Sequence, residues 1–365
     1  MKILMMGTLT NSMNGSARSC VRLCNFLAPA HEVHVVMPDG EGVAKLLSPQ
    51  VSSLIIAQLA PVRRALGAIL LLPSSIFRMF RIVSRLRPDI VHINDIPWFY
   101  GVMVCKLLGV PVIMHSRYEE KNRLVKNFIS LFLRVADAVI YVSDFNRKTW
   151  GLTKGQHYTL HNPGIFNFRF DASVDLPPRY ALVVSRISPE KGIAESISLF
   201  SRLSCRDGEM HLVIAGDALY PYQQAYLEQC RALADTLGVA DRIIWLGHVP
   251  SPHVLYSKAE LYIHLPNFED PFPTTMMEAL ALGCRIVTNG RGGILEQVTG
   301  FEGICRLEPD ADIEVSALKL NDFMKVSDAR YDRSARYHER FNEQKFYSGF
   351  EDILKAARKP LPERR

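Results

Sequence analysis

An α/β protein made of two consecutive parallel-sheet halves is what this sequence predicts, on three observations. Its 365 residues exceed what one core ordinarily encloses. Short β-branched runs alternate with longer amphipathic stretches throughout, the pattern of parallel strands joined by helices. A stretch without periodicity, residues 166–179, interrupts that alternation near the middle and contains Pro177-Pro178.

In the first half, strands are expected at Lys2–Met6, Glu32–Met37, Ser53–Ile56, Asp89–Ile93, Val110–His115 and Ala138–Val142, with helices between most of them. Arg18–Leu27 reads as a helix behind the loop Asn14-Gly15-Ser16, and 145–165 reads as irregular. In the second half, strands are expected at Tyr180–Val184, His211–Ala215, Arg242–Leu246, Leu261–His264 and Arg285–Thr288. Helices are expected at Ala194–Leu203, Tyr222–Leu237, Thr275–Leu282, Asp328–Phe341 and Gln344–Ala357. The last carries Phe346, Phe350 and Leu354 on one face. Two such halves fit facing Rossmann-like domains with a cleft between them.

Composition narrows the class. An apolar fraction of 48% with 22% charged residues suits a folded soluble chain. No apolar run is long enough to span a bilayer, and the start reads as a first strand rather than a secretory signal. Seven scattered cysteines form no Cys-x-x-Cys pair, so we expect buried thiols, a reducing cytoplasm and no metal site. Cys20 and Cys24, four apart on the first helix, read as buried thiols. Asp310-Ala-Asp312 has the spacing of a metal-binding pair but reads as a solvated turn. Residues 1–165 hold 19 basic and 9 acidic side chains, and residues 166–365 hold 24 and 28. The basic first half is therefore expected to meet something anionic.

Two segments carry chemistry. Residues 266–283 read Pro-Asn-Phe-Glu-Asp-Pro-Phe-Pro-Thr-Thr-Met-Met-Glu-Ala-Leu-Ala-Leu-Gly, an acidic loop running into a helix, with Glu278 expected in its first turn. Such a helix start offers unpaired N–H groups and a positive dipole end to a diphosphate. Glu278 can accept the hydroxyls of a ribose, or close a Thr275-x-x-Glu278 capping box. Residues 180–193 read as a strand, a loop and a helix start containing Arg186 and Lys191, two cations able to neutralise phosphate charge.

These segments closely resemble the donor-binding signature of glycosyltransferase family 4. In that signature two acids with seven residues between them precede an Ala-rich helix, and an Arg-x-x-x-x-Lys-Gly loop lies upstream. The resemblance covers nearly the whole chain in order: Ala136–Ser143, His161-Asn-Pro-Gly-Ile165 and the Gly292-Gly293 turn before Glu296 also match. It implies a GT-B fold, two facing Rossmann-like domains with a deep cleft. The first is expected at 1–168, joined by the terminal helix at about 344–365, and the second at 178–341. The usual first acid is Glu; here Asp270 stands there behind Glu269, which leaves open which carboxylate faces the sugar.

The implied donor site comprises Gly15, Arg186, Lys191, Asp270, Pro271, Phe272, Pro273, Thr274 and Glu278. The implied catalytic groups are His115, Arg117, Arg186, Lys191, Glu269 and Asp270. Gly15 is equally an ordinary turn glycine, and His115 equally a structural histidine. His92 and Asn94-Asp95 end the preceding strand and are expected to line the cleft. The implied activity is a metal-independent, retaining transfer from a UDP- or GDP-linked sugar, a co-substrate rather than a cofactor, to a glycan, lipid-linked or small-molecule acceptor. Cell-surface polysaccharide or glycolipid synthesis is the implied setting. The rival readings are a nucleotide-sugar epimerase of the same fold and a non-catalytic nucleotide-sugar-binding protein. A dehydrogenase would want a Gly-x-Gly-x-x-Gly turn after the first strand, which is missing.

Gly42 to Pro88 contains no acid, and 61–88 holds Arg63, Arg64, Arg78, Arg81, Arg85 and Arg87. Ile76, Phe77, Met79, Phe80, Val83 and Leu86 form an apolar helical stripe, with Arg78, Arg81 and Arg85 expected opposite. The segment reads either as a face for an anionic membrane, placing a cytoplasmic protein on the inner surface of the plasma membrane, or as an ordinary sheet-packing helix with its arginines in water. No nucleic-acid-binding motif is present.

Overall fold

The computed structural model describes residues 1–7, 15–37, 43–57, 59, 65–152, 155–162, 164, 175–204, 209–326 and 330–358. Arg63, Arg64, Asp328, most of the loop before Gly15 and linker residues 166–174 lie outside them. The chain divides into two compact units, Met1–Pro163 with Glu343–Arg365, and Gly164–Asn342.

Unit 1 runs β1 (Lys2–Met6), α1 (Gly15–Leu27), β2 (Glu32–Met37), β3 (Ser53–Ile56), α2 (Ala65–Leu86), β4 (Ile90–Ile93), α3 (Tyr100–Leu107), β5 (Val112–Ser116), α4 (Arg123–Val135), β6 (Ala138–Tyr141), α5 (Asp144–Trp150) and β7 (His157–Thr159). Unit 2 runs β8 (Tyr180–Val184), α6 (Ile193–Ser204), β9 (His211–Ala215), α7 (Pro221–Thr236), β10 (Ile243–Gly247), α8 (His253–Lys258), β11 (Leu261–His264), α9 (Thr274–Ala281), β12 (Ile286–Thr288), α10 (Ile294–Val298), β13 (Ile304–Arg306), α11 (Ile313–Met324) and α12 (Arg330–Arg340). The last helix, α13 (Glu343–Arg358), belongs to unit 1.

The strands form two sheets, ordered β3-β2-β1-β4-β5-β6-β7 and β10-β9-β8-β11-β12-β13. Neighbouring strands pair in parallel throughout, as in Met5 opposite Val35 and His92, and Leu182 opposite Val213 and Tyr262. Such strands are buried on both faces and therefore read as apolar runs. In unit 1, α1 and α13 cover one face: Cys20, Cys24 and Leu27 pack with Phe346, Phe350 and Leu354. The other face is covered by α2, α3 and α4 through Met79, Val83, Val104, Ile129 and Leu133. In unit 2, Ile197, Phe200, Leu212, Ile263, Val287 and Leu320 share one core.

Each sheet reverses its winding once, between β1 and β4 and between β8 and β11. Such a reversal is where doubly wound sheets bind their ligands. Arg186 to Lys191 follow β8, and Leu265 to Pro273 follow β11.

The segment 145–165, expected to be irregular, holds α5 and β7. Ser143 caps α5 by accepting from Asn146 N, and Gly151 ends it in the left-handed region at φ 62°. Strand β7 then pairs along β6. The short elements α8, α10 and β13 and the 12-residue helix α11 are further additions to the pattern that the sequence shows. Asp312 caps α11, its carboxylate accepting from Glu314 N and Val315 N, and Asp310 pairs with Arg291 at 2.8 Å. That spacing therefore serves a helix start and an ion pair. In α2, the expected single stripe divides: Met79 and Val83 face the sheet, while Phe77 and Phe80 are exposed among the arginines.

Candidate active site

In unit 2 the two switch-point loops are fastened together. Asn267 N donates to Glu190 O at 2.9 Å, and Asn267 Nδ2 donates to Pro189 O and to Glu195 Oε1. Between the loops the Lys191 ammonium meets Asp270 Oδ2 at 2.9 Å, and the same Nζ lies 4.6 Å from the centre of the Phe268 ring. Both charged side chains are largely buried, at 15% and 11% exposure. Two cations or two carboxylates could not share such a place; this opposed pair fixes the ammonium and leaves its other donors available.

Glycines set both backbones. Gly192 sits at φ +68°, and a Cβ there would stand 1.7 Å from Leu265 O. Gly292, at φ +73°, forms a bridge with Asp270, and Gly293 N donates to Asp270 O at 2.8 Å. The Gly-Gly turn thus holds the Asp270 backbone, as Gly192 holds the loop bearing Lys191.

Helix α9 begins immediately after this loop. Pro273 is its N-cap, with no side-chain cap hydrogen bond. The Thr275–Glu278 capping box is therefore not formed, because Thr275 is already inside the helix. Glu278 lies in the second turn rather than the first, a correction that follows from the helix starting at Thr274. It is buried beside Tyr256 and Tyr262. Burial, and after it the Glu278 charge, pushes the Tyr256 hydroxyl up. Phe272 is buried edge-on to Phe341, and Pro273 O accepts from Gln297 Nε2. Pro271 and Thr274 are partly exposed.

The two acids of the loop separate cleanly. Asp270 points inward to Lys191, whereas Glu269 is 40% exposed, 4.0 Å from Arg291. Arg186 is not gathered with Lys191: its side chain is 60% exposed and lies 3.9 Å from Glu190 on its own loop.

Sequence reasoning missed His264, which ends β11. Its Nδ1 lies 3.3 Å from Tyr262 Oη, and its Nε2 is buried without a hydrogen-bond partner. The signal was its place at the carboxyl end of a buried strand.

In unit 1 the corresponding strand ends carry a second cluster. Arg117 donates from Nε to Asn94 Oδ1 at 3.0 Å and from Nη1 to Asn162 Oδ1, and Nη2 lies 3.5 Å from His115 Nδ1. Asn94 Nδ2 in turn donates to Ser16 O at 3.3 Å, tying the guanidinium to the first turn of α1, which Gly15 opens. His115 is wholly buried and its Nδ1 meets His92 Nε2 at 3.3 Å. His92 does not line an open surface as expected; it is enclosed, edge-on to the Phe350 ring. The return of α13 to unit 1 supplies that ring.

Buried imidazoles set an acid limit on stability. Burial, then the Arg117 charge, pulls His92 to about 3. Burial, then Lys191, pulls His264 to about 4, with Asp270 opposing. Burial, Arg117 and His92 hold His115 well below its ordinary value. The unfolded chain takes up protons near pH 6.5 that the folded chain refuses. Stability is therefore complete above that pH and falls below it, by up to about 1.4 kcal/mol per pH unit for each histidine. We predict a marked drop in Tm between about pH 7 and about pH 5, made smaller by His92→Asn. An equal drop in the variant would contradict the assignment of that proton to His92.

Comparison with known proteins follows the same division. The family model described as Glycosyl transferases group 1 matches residues 165–340, and that described as Glycosyltransferase Family 4 matches residues 13–157. An alpha-monoglucosyldiacylglycerol synthase of Streptococcus pneumoniae is 23% identical over 245 residues, which are 58% of this chain and 54% of that protein. The chain thus spans about half the length of that relative. A lipopolysaccharide 1,2-N-acetylglucosaminetransferase of Salmonella typhimurium is 30% identical over 150 residues, 39% of each chain. Among solved structures, Anabaena Alr3699/HepE in complex with UDP superposes with a TM-score of 0.78 at 17% identity, over 98% of this chain and 100% of that one. A glycosyltransferase from Rickettsia africae superposes at 0.79 with 16% identity, over 99% of both chains.

Proposed function

We propose that this chain, which belongs to glycosyltransferase family 4 and has the GT-B fold, is a retaining, metal-independent hexosyltransferase using a UDP- or GDP-linked sugar. The acceptor is a glycan, a lipid-linked sugar or a small molecule, in cell-surface polysaccharide or glycolipid synthesis. One observation carries the reading: Lys191, held by Asp270, stands at the switch point of unit 2 in the loop system that leads into the uncapped start of α9.

The chemistry follows from these residues. The first-turn amides of α9 and the Lys191 ammonium receive the diphosphate. As the bond from the anomeric carbon to the phosphate oxygen breaks, negative charge grows on that oxygen, and a fixed, poorly hydrated cation stabilises it. Asp270 keeps the ammonium in place and accepts a sugar hydroxyl; Glu278 accepts the ribose hydroxyls. Arg186, the exposed cation, closes onto the phosphates from solvent. In unit 1, Arg117 is assigned as a catalytic group, its guanidinium fixed by Asn94 and Asn162, with the enclosed His115 as its positioning neighbour. The departing phosphate takes the acceptor's proton on the face it leaves, which preserves the anomeric configuration.

HepE was solved with UDP and with UDP-glucose, and two relatives are named an alpha-monoglucosyldiacylglycerol synthase and a lipopolysaccharide 1,2-N-acetylglucosaminetransferase; these favour uridine and a lipid-linked acceptor. No observation favours the epimerase or the non-catalytic alternative. Calorimetric titration with UDP-, GDP- and ADP-sugars tests the reading. One donor series is expected to bind, with turnover unchanged by EDTA. Absence of binding by all three would remove the donor assignment, and loss of turnover in EDTA would remove metal independence.

A further inference from the structure

Helix α4 is apolar on two opposite sides. Ile129 and Leu133 are buried with Leu4, Val91 and Met114 of the sheet layer. The other side carries Leu124, Phe128, Leu131 and Val135, spaced i, i+4, i+7 and i+11, a stripe within an arc of about 60°. These four are 79%, 52%, 56% and 52% exposed. Packing on the sheet gives no use for a second stripe, and a run of large exposed apolar groups marks a surface that meets something.

The neighbouring helices share its character. Phe99, just before α3, lies 4.5 Å from the Phe132 ring and 5.5 Å from that of Phe128, which seats α3 beside α4. Met103 and Leu107 of α3 are exposed, as are Phe77 and Phe80 of α2, which packs on α3. The three helices contain Arg78, Arg81, Arg85, Lys106, Arg123, Lys126 and Arg134 and no acid at all. Lys106 is paired with Asp137, Lys126 lies over the buried Trp150 ring and Arg81 over the Phe77 ring, so Arg85, Arg123 and Arg134 serve as the cations for this face.

We propose that the outer face of α4, flanked by α3 and α2, seats unit 1 on an anionic lipid bilayer, its apolar stripe entering the headgroup region and its cations meeting lipid phosphates. Charge chooses the occupant. A second copy docked through the same face would set these cations against an identical set, whereas anionic lipid complements them. No helix among the described residues is long and apolar enough to cross a membrane, and α4 is about 20 Å long, so this helix lies along the surface. The sequence reads 61–88 either as a membrane face or as an ordinary sheet-packing helix; in this proposal α4 takes the leading role, with α2 at the rim. The proposal is independent of the transferase reading, because binding to vesicles requires no donor or turnover.

The test is co-sedimentation of the full chain with phosphatidylcholine vesicles with and without phosphatidylglycerol, beside a Leu124→Ser/Leu131→Ser/Val135→Ser variant. All three side chains are exposed, so the variant should keep its Tm and circular dichroism. The wild type is expected to sediment with the anionic vesicles and the variant to bind at least about tenfold more weakly. An Arg123→Gln/Arg134→Gln variant should lose much of the preference for anionic vesicles. Wild type left in the supernatant, or equal sedimentation of the serine variant, would overturn the proposal. So would a wild-type dimer in analytical ultracentrifugation that the serine variant lacks, since the face would then belong to a second copy.

Discussion

Replacing Lys191 by Ala is expected to lower kcat/KM by about 10²–10³, the scale for losing one fixed group that stabilises developing charge. The same substitution leaves Asp270 buried without its cation. Removing one partner of a buried pair costs about 3–5 kcal/mol, so Tm should fall as well. The two effects are separable. In Lys191→Ala/Asp270→Asn the stranded carboxylate is gone, and most of the lost stability should return while activity does not. Kinetics and thermal melts on the two variants check this. Activity recovering together with stability would mean that Lys191 is a structural cation only.

The second large effect is steric. In Gly192→Ala the new Cβ would fall 1.7 Å from Leu265 O in a left-handed conformation at φ +68°. The φ alone costs about 1–2 kcal/mol; the overlap forces the Lys191 loop away from the Leu265–Pro273 loop. We expect a loss of about 3 kcal/mol or more, with donor binding abolished. Gly238 supplies the control, since it has φ +67° but open space where a Cβ would stand. Gly238→Ala should cost only about 1–2 kcal/mol and leave binding intact. Denaturant melts and donor titration of both variants measure the contrast. Equal losses would show that strain, not the close approach of the two loops, governs this site.

Much of this arrangement was legible in the residues. Long apolar strands such as Lys2–Met6 and Tyr180–Val184 were readable because parallel strands are enclosed on both faces. Phe346, Phe350 and Leu354 were readable as a buried stripe because their spacing matches one helix face. What escaped depends on contacts distant in sequence. Strand β7 has three residues and exists because β6 offers it an edge. His264 looks like any strand residue until Lys191 and Asp270 are set beside it. Glu269 and Asp270 are adjacent and chemically alike, and only the Asp270–Gly292 bridge turns one inward and leaves the other to Arg291. For α4, the sequence shows two apolar faces, Ile129 with Leu133 and Leu124 with Phe128, and does not say which one the sheet takes. The start of α9 was misplaced by one residue because Thr275 offered a plausible cap, whereas Pro273, with its fixed φ and no N–H, makes the entry.

Donor binding as proposed turns on a β-phosphate held by Lys191. Its most direct test is the affinity difference between UDP and UMP, or GDP and GMP if guanosine is the base, measured by calorimetry in the wild type and in Lys191→Ala. The second phosphate is expected to strengthen binding by about 10²-fold in the wild type and by little in the variant. The same gain in both proteins would contradict it, because the diphosphate would then lie away from Lys191.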